Sequence, residues 1–472
     1  MNRAEKRRQQ KLAEKMARKA ATSQSSNPLS RPQGRTIAHD QAVDMARTHH
    51  AAGRLREAES IYQHVLEENP EHPAAMYLLG VVAHQSGRLD EAITRYRKAL
   101  AIDPDIAEAH NNLGSAFMKQ GKLEDAIACY NRAVTISPDF FDAHFNLGDA
   151  LNEQGLLEDA VESYRRALQL DPTHEEAHCN LGNALSELGQ LKEAEASYRR
   201  ALALNPAFAE AHCNLYGPLL DANDLGPAVH CLEQAVAIHP DLTDYRFILG
   251  VLLDYSGAPE TAAAHFEMVE RGSPSDRAKL DGWRYLKSAT TKLPPIIGSN
   301  IETFRLAINA AVNEGLVLEF GVNFGTSIRQ IAKLVEQDVH GFDSFEGLPE
   351  SWHHEAKGAY STGGVIPSVP ANVTLYKGWF DESLPEFISA HPEPVRFINI
   401  DCDIYSSTKT VLDLLAKQII IGTVIVFDEY IGTETWRDDE FKAFQEAART
   451  YGWTYEYLCF SFMTRQVAVR IT

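Results

Sequence analysis

Cysteine is scarce in this chain and never paired. Six cysteines (Cys129, Cys179, Cys213, Cys231, Cys402 and Cys459) are scattered through 472 residues with no C-x-x-C spacing and no accompanying histidine spacing. That excludes a zinc ribbon and a disulfide framework, and reads as small apolar residues in a reducing, cytoplasmic setting. Positive charge is short as well: 45 Lys and Arg against 65 Asp and Glu leave a formal net charge of -20. A surface of that sign argues against nucleic acid as the main partner. Long apolar runs are missing too. The longest, Ile419–Phe427, is interrupted by Gly422 and Thr423 and falls far short of the roughly 20 residues that span a bilayer, so no membrane span is expected. What remains is a chain too long for one ordinary core, and more than one domain follows.

Residues 1–20 depart from the acidic balance, with eight Lys or Arg against Glu5 and Glu14. They hold no apolar stretch of the kind a secretory signal needs, and read as a solvated basic tail. A Ser/Pro/Gln-rich linker follows over 21–36, too polar to build a core. Tail and linker together occupy 1–40.

From residue 41 to 278 the sequence repeats every 34 residues through seven units. Small residues recur in register at Ala58, Ala92, Ala126, Ala160, Ala194, Ala228 and Ala262, where two helices must approach closely. Prolines recur at Pro70, Pro104, Pro138, Pro172, Pro206, Pro240 and Pro274 and stop the second helix of each pair. The period and pattern resemble the tetratricopeptide family, which implies an α-solenoid of stacked helix hairpins with a concave groove. Unit one carries Ala46 where others have Gly80 or Gly114, and unit six carries Tyr216 and Asn223 at glycine positions. Such deviation is expected toward the ends of an array. Asn112, Asn146, Asn180 and Asn214 fall at one position of the first helix. Two readings stand: a ladder of amides that binds the backbone of an extended peptide in the groove, or a tolerated residue copied by duplication. His110, His144, His178 and His212 recur likewise, too far apart to share a metal, and read as structural.

After a connector at 279–300, residues 301–472 alternate short apolar strands with helical segments: "LVLEFG", "VHGFDSF", "NVTLYKG", "RFINIDCD" and "TVIVFDEY". This predicts an α/β doubly wound, mostly parallel Rossmann-like sheet. "WTYEYLCFSF" and "RQVAVRIT" lie close enough to add an antiparallel C-terminal hairpin. Ligands of such sheets sit beyond the C-terminal strand ends. There the first strand is followed by Gly321 and Gly325, with Asn323 in place of the middle glycine that lets a pyrophosphate approach. That counts against NAD. Asp343 ends the second strand and Trp379, Phe380 and Asp381 follow the third. Asp401 and Asp403 follow the fourth, and Asp428 and Glu429 the fifth.

"GFDSFEGLPESW", "GWFDESLP" and D-x-D-x-Y-x-S-T before an acidic pair together resemble the macrocin O-methyltransferase family and, more distantly, the catechol O-methyltransferases, which are class I methyltransferases. The resemblance implies transfer from S-adenosylmethionine, probed by Glu319, Gly321, Asn323, Gly325 and Ser327 at the methionine end. It places Asp343 with Ser344 at the ribose and Trp379, Phe380 and Asp381 at the adenine. It implies Asp401, Asp428 and Glu429 as ligands of Mg²⁺ or a similar divalent cation. Two departures stand out: Glu429 where the family more often has Asp, and Ile404 where catechol enzymes keep a catalytic lysine. The base is then Asp401 or Asp403, or a lid histidine, His353 or His354. The expectation is a bacterial-type O-methyltransferase acting on a sugar or other small hydroxylated acceptor, with the repeats docking a protein partner or carrier. Methylation of a protein or protein-bound glycan held in the groove, and a non-catalytic scaffold, are the alternatives.

Overall fold

The computed structural model describes residues 33–220, 224–352, 355–462 and 464–472. The basic tail, Asn223, His353 and His354 lie outside the described residues. The chain forms two compact units, one ending at Ala150 and one spanning Leu151–Thr472.

The first unit is built of helix hairpins: α1 (Gln33–Ala51) with α2 (Leu55–Glu68), α3 (Pro73–Gln85) with α4 (Leu89–Ile102), and α5 (Ala107–Met118) with α6 (Leu123–Ile136). Helix α7 (Phe141–Glu153) opens the fourth repeat. Within a hairpin, the glycine of the first helix lies under a tyrosine of the second. A Cβ on Gly80 or Gly114 would come within 2.7 Å of the Tyr96 or Tyr130 ring, so each hairpin closes around an aromatic side chain buried against backbone. The recurrent histidines are structural: the Nε2 of His110 and of His144 donates to the carbonyl of Pro104 and Pro138, each at 3.0 Å. Two of the asparagines spend an N–H between neighbouring repeats. Asn112 donates to the Tyr77 hydroxyl and Asn146 to the Asn111 side chain, each at 2.9 Å.

The second unit continues with α8 (Leu157–Leu170), α9 (Glu175–Glu187), α10 (Leu191–Leu204), α11 (Ala209–Leu215), α12 (Gly226–Ile238), α13 (Thr243–Tyr255) and α14 (Pro259–Glu270). Asn214 of α11 donates to Asn183 of α9 at 2.8 Å. Helix α11 is only 7 residues long. The sequence explains the stop, since Pro218 cannot continue a helix, and the large Tyr216 is matched by Leu232 where other hairpins place a tyrosine. The structure supplies the reason for the departure. A Cβ on Gly298 would lie 2.8 Å from the Cα of Gly217, so the connector crosses the sixth repeat backbone to backbone. The first half of the connector is helical. Helix α15 (Pro274–Ala289) starts from a capping box of Ser273 and Asp276. Its buried Trp283 donates to Asp254 of α13 at 2.8 Å and packs on Phe460 with ring centroids 5.8 Å apart. The last repeat and the C-terminal sheet therefore share one apolar core.

Helix α16 (Asn300–Ala310) leads into β1 (Leu316–Phe320), α17 (Thr326–Leu334), β2 (Val339–Asp343), β3 (Val373–Lys377), α18 (Phe380–Ala390), β4 (Val395–Ile400), α19 (Tyr405–Leu415), β5 (Ile419–Phe427), α20 (Glu440–Tyr451), β6 (Tyr455–Phe460) and β7 (Val467–Ile471). The sheet order is β3-β2-β1-β4-β5-β7-β6. Strands β1 to β5 are parallel, and β7 runs antiparallel between β5 and β6. The expected hairpin forms, with its second strand inserted against β5. Strand order reverses between β1 and β4, which opens a crevice beyond their C-terminal ends.

Candidate active site

The site grows from the turn after β1. Gly321 has φ of +89°, and a Cβ there would stand 1.7 Å from the carbonyl oxygen of Asp401. Only glycine lets the turn lie against the end of β4. Asp343 then braces the turn from β2. Its Oδ2 accepts the amides of Val322 and Asn323, each at 2.8 Å, and its Oδ1 accepts that of Phe345 at 2.6 Å. Behind the turn Glu319 is fully buried, accepts from the Ser327 hydroxyl, and keeps Oε2 without a partner. Burial pushes its carboxyl up to about 8, and the hydrogen bonds from Ser327 and Asn399 only partly oppose this.

A cavity of about 640 Å³ opens on this edge. Of the residues singled out in the sequence, Gly321, Asn323, Asp343, Ser344, Trp379, Phe380, Asp381, Asp401, Asp403 and Glu429 line it. Glu319, Gly325, Ser327 and Asp428 are not among its lining; Glu319 and Ser327 instead bond to each other behind the turn. Phe380 stands edge-on to Phe320, with centroids 5.4 Å apart, so the aromatic wall is fixed by the core of the sheet.

The opposite wall is acidic. Burial and the neighbouring Glu429 and Asp428 push Asp403 up to about 7. Burial and Glu429 likewise push Asp428 to about 7, and burial followed by Asp428 and Asp403 holds Asp401 well above the carboxylate range. Arg465 is the counter-charge at this wall, bonded to Glu429 at 2.5 Å. Among the described residues no three His, Cys, Asp or Glu side chains stand ready to hold a metal ion as placed.

Reading the sequence missed several participants. Lys357 and Tyr360 of the lid, the segment 346–369 between β2 and β3, and Ser406, Ser407 and Thr410 of α19 also line the cavity; the quoted D-x-D-x-Y-x-S-T stretch covers Ser406 and Ser407 but ends before Thr410. Glu440 was missed altogether. It is fully buried, and burial together with Asp403, Asp428 and Glu429 raises its carboxyl well above the usual range, with a backbone hydrogen bond at Cys402 opposing this only in part. Backbone strain marks the same edge. Among the described residues the non-glycine positions with left-handed φ are Asn323, Phe345, Tyr360, Asp403 and Arg465. Three line the cavity, Phe345 follows β2, and Arg465 holds Glu429. Strain of this kind persists where the surroundings over-determine it, as at active sites.

Comparison with known families matches the description "Methyltransferase domain" over residues 318–430, which contain the glycine turn, the wall acids Asp401, Asp403 and Glu429, and Asp428 behind them. "TPR repeat" matches 82–121, 114–155 and 148–189, and "Tetratricopeptide repeat" matches 41–64 and 175–208. The chain thus carries tetratricopeptide repeats and a methyltransferase domain. A methyltransferase domain of this class implies S-adenosylmethionine as methyl donor, and the repeats imply binding of a protein or peptide. No curated protein matches the chain. Among solved structures, YrrB, a TPR protein described as having an unusual peptide-binding site, is 23% identical over 39% of this chain and 95% of its own, with a TM-score of 0.37. MamA from Desulfovibrio magneticus RS-1 is 20% identical over 36% and 96%, with a TM-score of 0.33. PilF of Pseudomonas aeruginosa is 20% identical over 55% and 100%, with a TM-score of 0.37. No helix among the described residues is long and apolar enough to cross a membrane.

Proposed function

We propose that the chain is an O-methyltransferase that moves a methyl group from S-adenosylmethionine to a hydroxyl of a sugar or similar small acceptor, while the repeats dock the protein or carrier that delivers it. One observation carries the reading: the glycine turn after β1, the acid ending β2, the Trp379–Phe380 wall after β3 and the acids after β4 and β5 converge on one cavity. The donor supplies a methyl group already activated on a positively charged sulfur, so most of the remaining catalysis is positioning. In this reading the turn holds the methionine end, with Ser327 and Glu319 bonded behind it, Asp343 and Ser344 hold the ribose, and Trp379, Phe380 and Asp381 the adenine. The acceptor oxygen forms its bond to the methyl carbon as the carbon–sulfur bond breaks, and its proton passes to a carboxylate of the acidic wall. Asp403, raised by burial and then by Glu429 and Asp428, is suited to take it; Asp401 is the other candidate.

Asp401, Asp428 and Glu429 would hold Mg²⁺. Their hard oxygen donors suit that ion, and Glu429 keeps a buried Oε2 without a partner. Bound there, the ion would lower the pKa of the acceptor hydroxyl. The test is methyl transfer from labelled donor to a panel of sugars and to cell extract, with and without chelator. Labelled product that disappears with chelator, and with Asp428→Asn, supports the whole reading. Turnover that survives both removes the metal and leaves the transferase. Absence of donor binding by calorimetry removes the transferase reading itself.

A further inference from the structure

One cation outside the cavity joins three segments that surround it. Arg329 sits on the first turns of α17, half-buried. Its Nη1 donates to the carbonyl of Phe324 in the glycine turn at 3.0 Å and to that of Ser368, near the end of the lid, at 3.1 Å. Its Nη2 donates to the carbonyl of Gly155 at 2.9 Å, in the turn between α7 and α8 of the fourth repeat. A planar fork of donors can reach three fixed carbonyls at once, which a lysine ammonium cannot do with the same geometry.

Each partner has its own reason to need holding. Phe324 lies between Asn323 and Gly325, both in the left-handed region with φ of 48° and 82°. A turn with that much strain stays in one shape only if its neighbours dictate it. On the other side, Gly155 has no room for a side chain: a Cβ would lie 1.7 Å from the Thr326 hydroxyl. The corresponding Gly53, Gly87 and Gly121 have nothing within 4 Å of that position. The fourth repeat's turn is thus seated on the first residue of α17. Two further contacts tie α17 to the array, one in the fifth repeat and one in the fourth. Gln330 donates to the carbonyl of Glu187 at 3.1 Å, and Lys333 pairs with Glu158.

We infer that Arg329 is a positioning residue through which the turn of the fourth repeat sets the shape of the donor-binding glycine turn and the end of the lid. The repeat array is then part of the donor site, beyond any role in docking a partner. This rests on the methyltransferase reading. The test uses the full chain, titrated calorimetrically with S-adenosylhomocysteine, for wild type, Arg329→Ala, Arg329→Lys and Gly155→Ala, with circular dichroism to show that each is folded. Arg329→Ala is expected to weaken binding by about tenfold, the equivalent of losing one or two hydrogen bonds that hold the turn, and Arg329→Lys to restore only part of it. Gly155→Ala, which lies outside the cavity, is expected to weaken it as well, and to add little on top of Arg329→Ala. With turnover, the donor KM should rise while kcat changes little. Wild-type binding together with affinities within twofold for folded Arg329→Ala overturns the inference and leaves the transferase standing. Unchanged affinity in folded Gly155→Ala overturns the link to the array. A wild type that binds no S-adenosylhomocysteine overturns both this inference and the transferase reading.

Discussion

Replacing Gly321 with alanine tests whether the glycine turn is as tightly built as its geometry implies. At φ of +89° an L-residue is strained by about 1–2 kcal/mol. The new Cβ would also stand 1.7 Å from the Asp401 carbonyl oxygen, where ordinary contact needs about twice that distance. The obstacle is backbone, so no side chain can swing aside. Asp401 is itself tied to β1, its amide donating to the Phe320 carbonyl at 2.8 Å. Either that bond breaks, at about 1 kcal/mol, or β1 and β4 part with an overpacking cost of about 1–3 kcal/mol. The total is about 2–5 kcal/mol, against a typical domain stability of about 5–15 kcal/mol. Gly325→Ala is the milder comparison, because its Cβ would meet side chains rather than backbone, the Nη1 of Arg329 at 3.0 Å and Pro367 at 3.3 Å, on top of a conformational strain of about 1–2 kcal/mol. Denaturant unfolding followed by tryptophan fluorescence, with donor-product titration beside it, reads both quantities. If Gly321→Ala loses no more stability than Gly325→Ala and still binds S-adenosylhomocysteine, the close approach of the two strands has been misread.

Asp343→Ala should release the amides of Val322, Asn323 and Phe345; donor-product affinity should fall by more than tenfold in calorimetry, and Asp343→Asn, which keeps an acceptor oxygen, should recover part of it. Glu319 gives a pH signature. Its folded carboxyl, at about 8, lies above the unfolded value of about 4.3, so the folded state binds the extra proton and stability declines as pH rises from about 4.5 to 8. Melting temperatures of Glu319→Gln should lose that part of the slope, and an unchanged slope would contradict the burial argument. Glu440→Gln should raise the melting temperature in metal-free buffer at pH 8, because it removes an acid buried among Asp403, Asp428 and Glu429. Asn146→Ala should lower the melting temperature slightly through loss of the bond to Asn111, whatever it does to partner binding.

The sequence by itself determined the repeats and the strands of the parallel half of the sheet, because both are local. A 34-residue period of small residues and prolines specifies helix hairpins without reference to anything distant, and apolar runs ending in Gly or Asp mark strand ends wherever the strands go. It also named ten of the residues that line the cavity, since strand ends of one parallel sheet share an edge by topology. Tertiary structure alone decided the rest. That β7 enters between β5 and β6 depends on register across the sheet. That Asp343 grips the glycine turn 20 residues away depends on β1 and β2 being neighbours. Tyr216 reads as wear toward the end of an array, but the connector at Gly298 crosses its neighbour Gly217. Glu440 carried no motif, and only burial beside three other acids sets it apart. Arg329 and Gly155 stand 174 residues apart, and no periodicity or spacing could have joined them, because their contact exists only once two separately encoded folds share a surface.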